Sequence, residues 1–293
     1  MIKLKGILEN NGFFSNLLLI IGAACFFAIS GIFFWTFTGG NANDINSLKM
    51  LQLIQTIGLF VLPPIVLAYF WSIKPMVYLQ LNKKISCAEV GIVIAFMVLI
   101  VPFVNLLGEM NQQLILPKVF AGIERWMKAT EAQTAQITEK LLNVHTLQGL
   151  LLNILVIAII PAIGEELFFR SALQGIFQKW KGAVLAIWIT AIIFSAIHLQ
   201  FYGFVPRMLL GAFFGYMLVW SKNLWLPILA HFTNNVMAVI FYYLTANGYK
   251  LPDIDKLGTG NTMWLGILSG IIAILGVSLI KKRLQKRNAT DLI

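Results

Sequence analysis

The sequence predicts an all-α protein, a polytopic transmembrane bundle of about eight membrane-spanning helices. Three observations carry that expectation. Hydrophobic residues make up 59% of the chain and charged residues 12%, against about 45–50% and about 25% in soluble domains. The mean hydropathy is +0.82. The apolar residues also fall in runs of about 20, the length that crosses the hydrocarbon core of a bilayer.

The runs lie near 14–38, 51–73, 88–108, 149–169, 183–202, 204–220, 224–245 and 262–280. In the first, Gly22-Ala23-Ala24-Cys25 is similar to a lipoprotein cleavage site. The run continues to Phe37, too long for a signal core, so a retained helix is expected. Pro63-Pro64 and Pro161 sit inside runs, where neighbouring helices re-satisfy the freed backbone groups. The one substantial polar stretch is 109–148. Its apolar residues Ile123, Trp126, Met127, Ile137, Leu141 and Leu142 recur at roughly helical spacing. An amphipathic helix or helical pair on the extracytoplasmic surface is expected there. The chain thus divides into 1–148, N-terminal helices plus this segment, and 149–293, a transmembrane core with the polar motifs described below. It contains no internal repeat and no low-complexity tract.

The net charge of +10 does not point to nucleic acid, because the basic residues cluster at the ends of apolar runs. Lys281, Lys282, Arg283, Lys286 and Arg287 follow the last one. With the N-terminus inside, the inner segments hold 14 of the 22 basic residues, Lys3 and Arg170 among them. The outer ones, Arg207 included, hold 8. The positive-inside bias therefore places both termini in the cytoplasm, with the chain in a bacterial inner (cytoplasmic) membrane among lipids. The two cysteines, Cys25 and Cys87, have no metal-binding or disulfide spacing.

Ionisable groups inside a span cost about 2.5–3.5 kcal/mol each on insertion scales, so those that occur there are candidate functional groups. Three positions stand out. Gly164-Glu165-Glu166-Leu167-Phe168-Phe169-Arg170 closes the fourth run. Glu166 and Arg170 are i and i+4, the favourable order for a helical ion pair. Glu165 points about 100° away and has no partner in its own segment. An unpaired buried carboxylate suits a general acid or base. The competing reading is an interfacial pair that ends the helix. Phe194-Ser195-Ala196-Ile197-His198 closes the fifth run, and a lone histidine there is commonly a packing residue. His231-Phe232-Thr233-Asn234-Asn235 opens the seventh. His231 and Asn235 share a helical face, and such polar residues also act as glue between membrane helices.

If the fourth and fifth helices form a hairpin turning near Lys181-Gly182, Glu165 and His198 each lie about 16–17 residues from the turn, at matching depth about 25 Å away. This requires the fourth helix to continue to about Trp180. His231 lies only about 8 residues from its own turn, roughly 12 Å, so its depth agrees only if the first hairpin projects or the helices tilt. Gly211 and Gly215 form a small-xxx-small pair for close helix packing. The third histidine, His145, lies in the polar segment and receives no role.

The three motifs, in this order, resemble those of the CPBP family, the CAAX prenyl proteases of the Ras-converting type and the bacterial bacteriocin-processing or self-immunity proteins. Their pattern is EExxxR, then FxxxH, then HxxxN, read here as Glu165-Glu166…Arg170, Phe194…His198 and His231…Asn235. The resemblance covers about 150–245. It implies an intramembrane protease acting on a membrane-associated peptide or protein, lipidated or membrane-embedded. It further implies that Glu165 and His198 activate a water, that His231 and Asn235 stabilise the oxyanion, and that Glu166 and Arg170 hold the motif. A zinc reading competes, with Glu165, His198 and His231 as ligands, and the family is often called metalloprotease. The HExxH spacing is absent and Asn235 is a poor zinc ligand, so metal-independent chemistry with no cofactor is favoured. Two non-proteolytic readings remain: a non-catalytic immunity or scaffold protein with a structural polar core, and a transporter. The second lacks paired broken helices in two halves.

Overall fold

The computed structural model describes residues 4–113 and 117–290, and of 288–290 the backbone alone. Lys3, counted above on the inner side, and 114–116 of the polar segment lie outside the described residues. The described residues form helices and no strand. Seven helical rods are long and apolar enough to cross a membrane, and one apolar helix is shorter. The protein is a multi-pass membrane bundle.

The first rod is α1 (Phe13–Phe37). Its outer face leaves Phe14, Leu18, Phe26 and Phe33 exposed, as suits a surface turned to lipid. The second rod runs 45–71, as α2 (Ile45–Thr56), a π-helical turn over Ile57–Val61 and α3 (Leu62–Trp71). Asp44 caps it by accepting from Ser47 N. Pro63 and Pro64 fall in the first turn of α3, where a missing N–H is tolerated. The short α4 (Pro75–Tyr78) leads to α5 (Cys87–Leu99), which Ser86 and Glu89 start with a reciprocal capping box. Pro102 marks the break to α6 (Val101–Gln112). Cys25 and Cys87 are free.

The polar segment is a single helix, α7 (Ala121–Leu142), and not a pair. It lies across the ends of its neighbours. Trp126 meets the Phe201 ring at 5.2 Å, and Asn153 Nδ2 donates to Leu141 O at 3.0 Å. The exposed His145 follows it.

The fourth rod runs 147–181, well past the apolar run that ended near 169. It comprises α8 (Leu147–Asn153), a π segment Ile154–Ile159, α9 (Ile160–Glu165), a second π segment Glu166–Leu173, and α10 (Gln174–Lys181). Gly164 lets it cross the second rod. A Cβ there would stand 2.9 Å from Val61 Cγ2. The chain turns at Gly182, whose φ of 82° favours glycine.

α11 (Ala183–Ala196) is shorter than the fifth apolar run, which reached 202. The helix stops because Leu199 turns left-handed, at φ 53°, and polar side chains satisfy the loop that follows. Asn111 Nδ2 donates to Phe201 O at 3.0 Å, and its Oδ1 accepts from Val205 N at 2.8 Å. Glu131 Oε2 accepts from Tyr202 N at 3.1 Å. His198 therefore lies just beyond the helix, not within it. α12 (Phe204–Ser221), α13 (Trp225–Ala246) and α14 (Met263–Thr290) complete the bundle.

Two apolar cores flank the centre. One joins α1, α3, α10 and α11 through Ile20, Trp71, Ile176 and Phe194. The other joins α5, α12, α13 and α14 through Phe96, Phe214, Leu226 and Ile280. Gly211 and Gly215 bring α12 close to its partners as expected. A Cβ at Gly215 would stand 2.7 Å from Gln174 Oε1 and 3.1 Å from Ile187.

Candidate active site

The three polar motifs meet between the two cores. Glu165 ends α9 and Glu166 begins the π segment, so the adjacent carboxylates face different surroundings. Glu166 is fully buried. Oε1 accepts from His231 Nδ1 at 2.9 Å, and Oε2 lies 3.2 Å from Arg170 Nε. The expected i,i+4 pair is therefore present, and it is buried, not interfacial. The Arg170 guanidinium sits 4.6 Å over the Phe194 ring, with Phe169 and Phe214 at 5.8 and 6.0 Å. Three aromatic faces accommodate a cation that water cannot reach. Gly211 leaves room for it, since a Cβ there would lie 3.4 Å from Arg170 Nη2.

Glu165 is held more loosely. Its Oε2 lies 3.9 Å from His198 Nε2 and 3.8 Å from His231 Nε2, and it has no direct hydrogen-bond partner. A water about 2.8 Å from Glu165 Oε2 and from either ring nitrogen fits between the carboxylate and that imidazole. Tetrahedral zinc at about 2.0–2.1 Å would set its ligand atoms only about 3.3–3.4 Å apart. The observed spacings are wider, and no group of three His, Cys, Asp or Glu among the described residues is arranged to hold a metal.

Both rings are fixed through Nδ1. His198 Nδ1 is 2.7 Å from Phe194 O. A carbonyl only accepts, so this nitrogen carries the hydrogen and the neutral ring keeps its lone pair on Nε2. The early end of α11 explains the contact: the last helical carbonyls lack backbone donors, and the side chain four residues on supplies one. His231 Nδ1 donates to Glu166, which leaves Nε2 directed at Glu165, and the ring stacks on Phe214 at 5.6 Å. Phe194 lies edge-on to both imidazoles. The two rings come from different segments, just past the end of α11 and the early part of α13, and sequence spacing alone does not reveal them as walls of one site.

The depths coincide. Glu165 lies about 25 Å along its rod from the Gly182 turn and His231 about 10 Å from the start of α13, and His198, just past the end of α11, meets both.

Asn235 is half-buried. Its Nδ2 donates to Ile157 O at 3.2 Å, and its Oδ1 accepts from Asn234 Nδ2 at 3.2 Å. Pro161 has no N–H to give the Ile157 carbonyl in α-helical register, and the Asn235 amide takes that acceptor. One Nδ2 hydrogen remains. Sequence spacing does not reveal this clamp between α13 and the proline-containing rod. Nor does it single out Gln174, buried one turn beyond Arg170, whose Nε2 donates to Gly215 O at 3.2 Å.

Residues 147–237 match the family model described as type II CAAX prenyl endopeptidase Rce1-like, and this stretch contains all three motifs. Two curated relatives are similar. "Membrane-embedded CAAX protease MroQ" of Staphylococcus aureus (strain USA300) is 28% identical over 149 residues, 48% of this chain and 56% of that one. "Putative membrane peptidase YdiL" of Bacillus subtilis (strain 168) is 28% identical over 112 residues, 38% of this chain and 45% of that one. The chain spans about half the length of the curated relatives it matches. No solved structure matches it.

Proposed function

We propose that this protein is an intramembrane endopeptidase that hydrolyses a peptide bond of a membrane-associated substrate with a water held by Glu165 and His198. The observation that carries this reading is the meeting of Glu165 Oε2 with His198 Nε2 and His231 Nε2, at 3.9 and 3.8 Å, behind rings tied down through Nδ1. Water oxygen attacks the peptide carbonyl carbon as its proton passes to the Glu165 carboxylate or the His198 lone pair. The tetrahedral oxyanion takes hydrogen bonds from His231 in its imidazolium form, whose Nδ1–H stays on Glu166 while its Nε2–H faces the oxyanion, and from the uncommitted Asn235 amide hydrogen. Preorganised donors are worth most in such a dry site. The held proton then goes to the leaving nitrogen as the C–N bond breaks. Glu166 and Arg170 hold His231 in place. Chemistry of this kind needs no metal. The termini face the cytoplasm in this reading, following the basic-residue bias.

The test uses purified protein in lipid nanodiscs with a peptide library, fragments read by mass spectrometry. Wild type cleaves, and Glu165→Gln does not while remaining folded. Equal cleavage by the two would sink the mechanism, and a folded but inert wild type would favour the scaffold reading. Chelation followed by elemental analysis tests the metal question: full activity in metal-free protein is expected, and activity restored only by zinc would refute the metal-independent reading.

A further inference from the structure

An open polar cleft of about 790 Å³ lies beside the site. Arg207, Asn234, Glu109, Asp255 and Lys256 are among its walls. Val104, Pro206 and Leu210 line it too, and they also line an apolar groove of about 480 Å³ between α5, α6, α12 and α14. A trough thus runs from the lipid-facing side of the bundle to Arg207.

The sequence places Arg207 among the outer-loop cations. The structure places it, half-buried, in the first turn of α12, inside a helix long enough to span a membrane. Its Nη1 donates to Gln200 O at 3.3 Å and its Nη2 donates to Gln200 Oε1. Both acceptors are neutral. They aim the guanidinium without offsetting its charge, and other donors of the fork remain. Glu131 and Glu165 are the carboxylates that act on it electrostatically, and Glu131 also accepts from Tyr202 N at 3.1 Å. An intramembrane cation of this kind is costly unless something compensates it. Gln200 lies two residues after His198, and Asn234 is the neighbour of Asn235. Whatever binds Arg207 therefore lies next to the groups proposed to act on the peptide bond.

We propose that the cleft is a substrate subsite in which Arg207 receives a carboxylate of the bound polypeptide, a chain terminus or an Asp or Glu side chain, with the adjoining apolar groove taking neighbouring residues. The fork geometry of arginine matches a carboxylate on two atoms. Glu109 and Asp255 on the other walls disfavour a multiply charged anion and leave acceptors for peptide N–H groups. The subsite rests on the peptidase reading for its biological meaning, and binding tests it without cleavage.

The probes are four synthetic decapeptides of alternating leucine and serine. They carry one central aspartate or asparagine and a free or amidated C-terminus. Binding to the full chain in nanodiscs is followed by fluorescence of a label on the peptide. Wild type is expected to bind at least one carboxylate peptide about 10-fold or more tighter than the peptide lacking both carboxylates, the size of a charge-assisted hydrogen bond. The central and terminal arms identify which source is read. Arg207→Gln removes the preference, and Arg207→Lys, which keeps the charge without the fork, retains part of it, so loss of fold is told apart from loss of recognition. Equal binding of all four peptides to wild type, or a preference that survives Arg207→Gln, overturns the proposal. Peptide selectivity without cleavage would leave the subsite standing and the peptidase reading refuted.

Discussion

The two sides of one helical turn differ in kind. On the Glu166 side every group is enclosed: a carboxylate, a guanidinium and an imidazole contact one another at 2.9 and 3.2 Å among three phenylalanine rings. On the Glu165 side the same helix presents a carboxylate whose neighbours stand 3.8 and 3.9 Å away, with room for a small reactant. A tight set positions, because removing any member leaves a buried charge uncompensated. A loose set reacts, because its groups still have bonds to make. The lesson is that adjacent, chemically identical residues take opposite roles when a helix presents them to different walls.

The largest effect expected from breaking this contrast is on the loose side. Glu165→Ala and His198→Ala should each lower peptide cleavage by about 10²–10⁴-fold, the range of general acid–base catalysis, with unchanged helicity by circular dichroism. Retained cleavage in either would remove that residue from the chemistry. On the tight side, Glu166→Ala or Arg170→Ala should cost about 3–5 kcal/mol of stability, the penalty of an orphaned buried charge. Thermal unfolding in detergent would register it, and an unchanged midpoint would mean the pair is not structural. Asn235→Ala tests the hinge between the sides. It should reduce cleavage about 10²–10³-fold if the amide serves the oxyanion. A modest loss of stability with normal turnover would instead leave Asn235 as the clamp on Ile157 alone. The smallest effect is remote. Gly215→Leu should destabilise by about 1–3 kcal/mol through overpacking against Gln174 and Ile187. A neutral result would show that α12 can shift away.

Much of the bundle and of its polar centre is legible in the amino-acid sequence. Long apolar runs identify the spans, because a bilayer demands them regardless of tertiary detail. Glu165-Glu166…Arg170, Phe194…His198 and His231…Asn235 stand out because ionisable and amide groups are rare in such runs. What stays hidden follows from packing between distant segments. The end of α11 at Ala196 depends on Asn111, Glu131 and Gln200, none of which lies in the helix itself. The extension of the fourth rod to Lys181 is the exception, since a matched-depth hairpin already requires the helix to reach about Trp180; the contact that accompanies it, Phe13 stacked on Trp180 at 4.4 Å, is not legible. The Asn235 clamp depends on Pro161 seventy-four residues earlier in the chain. Arg207 is misplaced by sequence reasoning because a cation near a run's edge reads as a loop residue until the helix start is known.

The division of labour between the two glutamates is tested most directly by measuring the cleavage rate per folded molecule for Glu165→Gln and Glu166→Gln side by side. The account predicts that Glu165→Gln is inert yet as thermally stable as wild type, whereas Glu166→Gln unfolds at lower temperature and its folded fraction keeps measurable turnover. An active Glu165→Gln beside an inert, fully stable Glu166→Gln would assign the chemistry to the wrong carboxylate and contradict it.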